Sequence, residues 1–142
     1  MRIAITSDHA GIEIKKLLSG HAKSLGHEVT DLGPYTPDSV DYPDFAHLVA
    51  NSISKGETEW GVLICGTGIG MCMAANRHKG VRAALCHDAF TAEMARTHND
   101  ANVLCLGARV TGPGVALQIL EIFLATPFAG DRHQRRVAKI EP

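Results

Sequence analysis

No stretch of the chain approaches the ~18 consecutive apolar residues that a membrane-spanning helix needs. Its hydrophobic runs are short and interrupted by Gly, Asp, His or Asn. The N-terminus, MRIAITSDHAG, reaches Asp8 and His9 after only a few apolar residues, so neither a secretory leader nor a membrane anchor is expected. A surplus of positive charge is missing as well: 14 Lys and Arg stand against 15 Asp and Glu, for a net charge of -1. Without a basic footprint, nucleic acid is not an expected partner. The four cysteines, at 65, 72, 86 and 105, form no C-x2-C pair, which removes the usual signatures of structural zinc and of thioredoxin-like redox sites. They are expected to be free thiols in a reducing cytoplasm, each able to pack as a small hydrophobe. Internal repeats, low-complexity tracts and linkers are also absent.

What is present fits one folded domain spanning residues 1–142. Hydrophobic residues make up 45% and charged residues 20% of the chain, far from the composition of disordered sequences. Short β-branched-rich runs at 2–6, 28–32, 61–65, 81–86 and 102–106 read as five strands. Segments of helical period separate them: Ile14, Leu17, Leu18 and Leu25; then Phe45, Val49 and Ile53; then 69–78 and 89–98. Val115, Ile119 and Phe123 continue the pattern after the fifth strand. Strict alternation with right-handed crossovers predicts an α/β, doubly wound sheet of five parallel strands in the order 2-1-3-4-5. Two segments depart from this regularity. GPYTPDSVDYPD (33–44) is long for a strand-to-helix loop and holds three prolines, so it covers something or is a flexible excursion. FAGDRHQRRVAKIEP (128–142) reads as a short basic C-terminal helix outside the core.

In such a sheet, ligands bind beyond the carboxyl ends of the strands where the winding reverses, here between strands one and three. Strand one ends in Ser7-Asp8-His9-Ala10-Gly11 and strand three in Cys65-Gly66-Thr67-Gly68-Ile69-Gly70, so an acid, an imidazole and a thiol meet at one crevice. The glycine-rich turn opens a helix, and its amides can face an anion, although any tight turn also uses glycine. A dinucleotide fingerprint fails because Met71 occupies the last required glycine position, and no Gly-Lys-Ser/Thr follows for a P-loop. Cys65 stands where a helix terminus favours the thiolate, as nucleophile or base, with a packed strand-end cysteine as the bland alternative. His98-Asn99-Asp100 falls at the opposite edge of the sheet, where a helix C-cap explains it; if His98 acts, a second subunit must deliver it. Arg132 and Arg136 lie four apart on one helical face, suited to phosphate or simply solvated, and Arg109 shares that ambiguity.

Taken together, SDHAG (7–11), VDYPDF (40–45), ICGTGIG (64–70), AAN (74–76), HNDANVL (98–104), GARV (107–110) and GDRHQRRV (130–137) make the chain resemble the type B ribose-5-phosphate isomerases, a family shared with galactose- and allose-6-phosphate isomerases. The resemblance covers almost the whole length. It implies a Rossmann-like fold, homodimers or paired dimers with active sites shared between subunits, a phosphorylated sugar as substrate, and neither metal nor cofactor. It implies Cys65 as the base between C2 and C1, in the branch that uses a thiol rather than a carboxylate, with Thr67 assisting. The amides of Gly66, Gly68 and Gly70 would hold the enediolate oxygen. His98, aided by Asp8, would open the furanose ring, and Tyr42 and Asn99 would line the sugar site. His9, Arg109, Arg132 and Arg136 would take the phosphate. The expected reaction is ribose 5-phosphate to ribulose 5-phosphate. Allose 6-phosphate, galactose 6-phosphate or a tetrose phosphate are the alternatives within the chemistry. A non-catalytic module binding nucleotides or sugar phosphates is the alternative outside it.

Overall fold

Apolar residues that alternate sides along each strand are what divide this molecule into two cores. The structure, a computed structural model, describes residues 1–141; Pro142, the end of the expected domain, lies outside them. The described residues form β1 (Arg2–Ser7), α1 (Ile12–Ser24), β2 (Glu28–Asp31), α2 (Tyr42–Ser54), β3 (Trp60–Cys65), α3 (Ile69–Ala75), β4 (Ala83–Leu85), α4 (Ala89–Thr97), β5 (Val103–Gly107), α5 (Pro113–Ala125) and α6 (Arg132–Val137). A single 3-10 turn, His9–Gly11, follows β1. No helix among the described residues is long and apolar enough to cross a membrane.

Ile3, Ile5, Val62, Ile64, Leu104 and Leu106 face one way, onto Leu18 of α1, Ala92 of α4 and Ile119, Leu120 and Phe123 of α5. Their strand neighbours Ala4, Leu63, Cys65, Val103 and Cys105 face the other way, onto Val49 of α2 and Met71 and Ala75 of α3. Each fully buried large aliphatic or Phe side chain stabilises the fold by about 1.5–3 kcal/mol, so both layers are needed.

The α/β class and the five parallel strands are as expected, but the order is β2-β1-β3-β5-β4 rather than 2-1-3-4-5. The chain passes from β3 over α3 to β4 at the edge, then returns over α4 to place β5 between them. Handedness explains the arrangement. A right-handed crossover that reverses direction along the sheet must use the opposite face, and α4 does pack with α5 on the face away from α3. Strand content agrees: β5 is buried at all five positions, as a central strand should be, whereas β4 has three half-buried residues and suits an edge. The reversal between β1 and β3, on which the site depends, is unaffected.

The loop after β2 is anchored by a buried lysine that periodicity alone does not reveal. Lys15 of α1 has a side chain 2% exposed and donates from Nζ to Asp31 Oδ1 (2.7 Å) and to the Pro34 carbonyl (2.8 Å). Asp31 Oδ1 also accepts from the Gly33 amide at 2.8 Å. At the far end of the loop, the Val40 amide donates to His9 Nδ1 at 3.3 Å, and Tyr42 opens α2 with Pro43 in its first turn.

Candidate active site

Two tight turns leave the sheet side by side. After β1, the Asp8 amide donates to the Ile64 carbonyl (2.9 Å), while Asp8 Oδ1 accepts from the Ala10 amide (2.9 Å) and caps the 3-10 turn. After β3, Gly68 has φ of +80°, which a side chain rarely adopts, and an added Cβ would stand 2.5 Å from Leu85 Cδ1. Glycine at this point lets the turn close onto β5. The Gly68 amide donates to Cys65 Sγ at 3.1 Å, and the Ile69 amide to Thr67 Oγ1 at 3.3 Å.

Asp8, His9, Tyr42, Cys65, Gly66, Thr67, Gly70 and Arg109 line one open cleft of ≈ 510 Å³, together with Ala10, Ile69 and Met73. Cys65 is only 4% exposed yet borders this space, so its sulfur is neither sealed in the core nor free in solvent. Because His9 Nδ1 accepts from Val40, a neutral ring carries its proton on Nε2. The Arg109 amide donates to the Gly66 carbonyl (3.0 Å), and its guanidinium lies over the turn, with Nη1 3.4 Å from where a Gly66 Cβ would be. The Tyr42 ring rests on Gly70, where a Cβ would come within 2.5 Å of Tyr42 Cε2. Gly68 itself is buried beneath the turn.

His98, Asn99, Arg132 and Arg136 are not in this cleft. They gather at the other end of the sheet, where α4 ends and α6 begins. The rings of His98 and His133 stack at 4.2 Å, 8° from parallel. Arg132 Nε lies 3.5 Å from His133 Nε2. Burial, then the neighbouring charges of His98, Arg132 and Arg136, hold the His133 pKa below its ordinary value. Asp100, at φ of +46°, fixes the loop between them by accepting from Arg82 Nη2 and Arg96 Nη1, each at 2.9 Å. From Val103 to Gly107 alone, β5 separates the two ends by about 13 Å at ~3.3 Å per residue. One chain therefore presents two clusters: an acid, an imidazole, a thiol and a cradle of amides in one, and two stacked imidazoles with two arginines in the other. Sequence periodicity gave no hint of Ile69 and Met73 as cleft walls. Their exposure, 52% and 67%, is visible only once α3 is placed.

Residues 3–140 match the model of the family described as Ribose/Galactose Isomerase. The ribose-5-phosphate isomerase B of Escherichia coli is 41% identical over 139 residues, covering 98% of this chain and 93% of that protein. The solved structure of Clostridium thermocellum ribose-5-phosphate isomerase B superposes with a TM-score of 0.97 at 47% identity, over 99% of this chain and 95% of that one. That of the Mycoplasma genitalium ribose-5-phosphate isomerase B, with bound ribulose 5-phosphate, gives a TM-score of 0.95 at 50% identity over 98% and 93% of the two chains.

Proposed function

The chain belongs to the ribose/galactose isomerase family, and from that premise we propose that it interconverts ribose 5-phosphate and ribulose 5-phosphate through a cis-enediolate, with Cys65 as the base. The observation that carries this most is the position of Cys65 Sγ, on the wall of the cleft and beside the amides of residues 66–70. The Cys65 thiolate takes the proton from C2. The C–H pair becomes the C1=C2 bond, and the carbonyl pair moves onto O1. Amides of the glycine turn stabilise that oxygen, a kind of donor worth about 3 kcal/mol each in other enzymes. The thiol then returns the proton to C1, the O2 proton passes to O1 with help from Thr67, and the C2 carbonyl forms. Proton transfer of this kind needs a base and an oxyanion cradle, and no step calls for a metal or cofactor.

Before this step the furanose must open, a role for His98 aided by Asp8. Since His98 lies at the far end of its own sheet, a second copy of the chain supplies it, with Asn99 at the sugar and Arg132 and Arg136 at the phosphate beside His9 and Arg109. Tyr42 packs the sugar from above Gly70. Exposed Ile69 and Met73, at 52% and 67%, give the protein an apolar surface at the cleft that a homodimer would cover. Phosphate binding remote from C1 and C2 serves to orient them against the sulfur.

Ketose formation from a panel of ribose, allose, galactose and tetrose phosphates, with EDTA present, tests the proposal. Ribose 5-phosphate should have the highest kcat/KM, undiminished by chelator. Preference for a hexose phosphate would reassign the sugar, and no turnover of any member would remove the activity.

A further inference from the structure

Arg96 is a buried guanidinium to which the proposed isomerisation gives no part. It is 6% exposed, in the last turn of α4 just before His98. Its guanidinium carbon lies 4.2 Å from the centre of the Trp60 ring and 5.9 Å from that of Phe123, and those two rings meet edge-on. The N–H groups at its rim go to three oxygens. Nη1 donates to Asp100 Oδ1 (2.9 Å) and to the Ala101 carbonyl (2.6 Å), and Nε donates to the Thr126 carbonyl (3.3 Å).

Those acceptors belong to two segments that are distant in the chain. Asp100 and Ala101 lie in the loop that carries His98 and Asn99 out of α4, whereas Thr126 ends α5 and begins the segment that runs to Arg132. The Ala129 amide joins the same two segments by donating to the Thr97 carbonyl (3.1 Å), and the His98–His133 stack spans them. The loop needs such a hold, because Asp100 has φ of +46°, a conformation that a residue with a side chain adopts at a cost. Lysine would supply the charge there, but not the planar fork that reaches several oxygens at once while its face lies on an aromatic ring.

We propose that Arg96 is the positioning residue of the second cluster. By holding the 98–101 loop and the segment after α5 against each other, it sets His98 for ring opening and Arg132 for the phosphate in the site that this chain completes on a second copy. The inference rests on the two-subunit reading above. Arg96 touches no substrate and acts only through Asp100, Ala101 and Thr126.

The test uses the full-length chain carrying Arg96→Met. Because a displacement of about 1 Å can cost about 10²-fold in rate, kcat/KM for ribose 5-phosphate should fall by that order. Subunit mixing then places the lesion. Combined with Cys65→Ala, the variant should recover activity above both parents; combined with His98→Asn, it should not. The ring-proton NMR resonances of His98, assigned by their loss in His98→Asn, should move as the stack on His133 loosens, and this reads the geometry whether or not the isomerase reading holds. Mixing Cys65→Ala with His98→Asn is the control: if that pair fails to recover, the two-subunit reading fails, and the His98 resonances alone decide the role of Arg96. If Arg96→Met does not fold, Arg96→Lys, which keeps the charge and the stem, decides by the same measurements. Undiminished kcat/KM, recovery with His98→Asn instead of Cys65→Ala, recovery with neither while the control pair recovers, or unmoved His98 resonances would overturn the proposal.

Discussion

Cys65 is buried to all but 4%, so its replacement by alanine removes one sulfur from a well-packed wall and little else. Losing an acid–base group while keeping the cradle is expected to lower kcat by about 10²–10⁴, with an unchanged circular dichroism spectrum. Turnover equal to the unaltered enzyme would take Cys65 out of the mechanism. His133 gives a pH dependence of defined sign. Because its pKa is held below 6.5 in the folded chain, the unfolded chain binds the extra proton first. Stability from this group is complete above 6.5 and is lost as pH falls through the lowered value, and His78, depressed by burial and then by His47, acts in the same direction. Urea midpoints taken on either side of 6.5 should drop on the acid side, less so in His133→Gln; an identical drop in the variant would assign the effect elsewhere. Asp8, His9, Cys65 and Thr67 were legible in the sequence because they stand at or directly after two strand ends. Lys15 was not, since a lysine on a helix reads as surface until its partners are placed.

At the scale of elements, the loop after β2 has its conformation imposed from α1. Lys15 is 2% exposed and Asp31 29%, so the pair lies between the ~1 kcal/mol of an exposed ion pair and the ~3–5 kcal/mol lost when one partner of a fully buried pair is removed. Lys15→Met is expected to cost about 2 kcal/mol in urea unfolding and to loosen the segment leading to Val40 and Tyr42. A midpoint equal to that of the unaltered protein would mean that Asp31 and Pro34 find water without loss. Strand and helix placement was readable from period alone to within a few residues; the run at 81–86, for example, shrinks to Ala83–Leu85. The positions of β4 and β5 were not readable, because both orders use parallel strands and right-handed crossovers. Only the choice of face for α4 separates them, and its alanine-rich buried side, Ala92 and Ala95, fits either.

For the whole molecule, the parallel sheet sets Cys65 and His98 at opposite ends and so makes a single chain incomplete for the proposed ring opening and proton transfer. The sequence revealed that separation through the strand-helix alternation, while the His98–His133 stack and the Asp100 clamp that hold the second cluster together needed coordinates. A twofold dimer in which each cluster meets its complement yields two sites per pair of chains. Mixing Cys65→Ala with His98→Asn bears on this most directly. Random reassociation makes half the dimers heterodimers, each with one intact site, so activity on ribose 5-phosphate should rise above both parents toward about a quarter of the unaltered enzyme. Verified heterodimers no more active than their parents would contradict a site built from two subunits around Cys65.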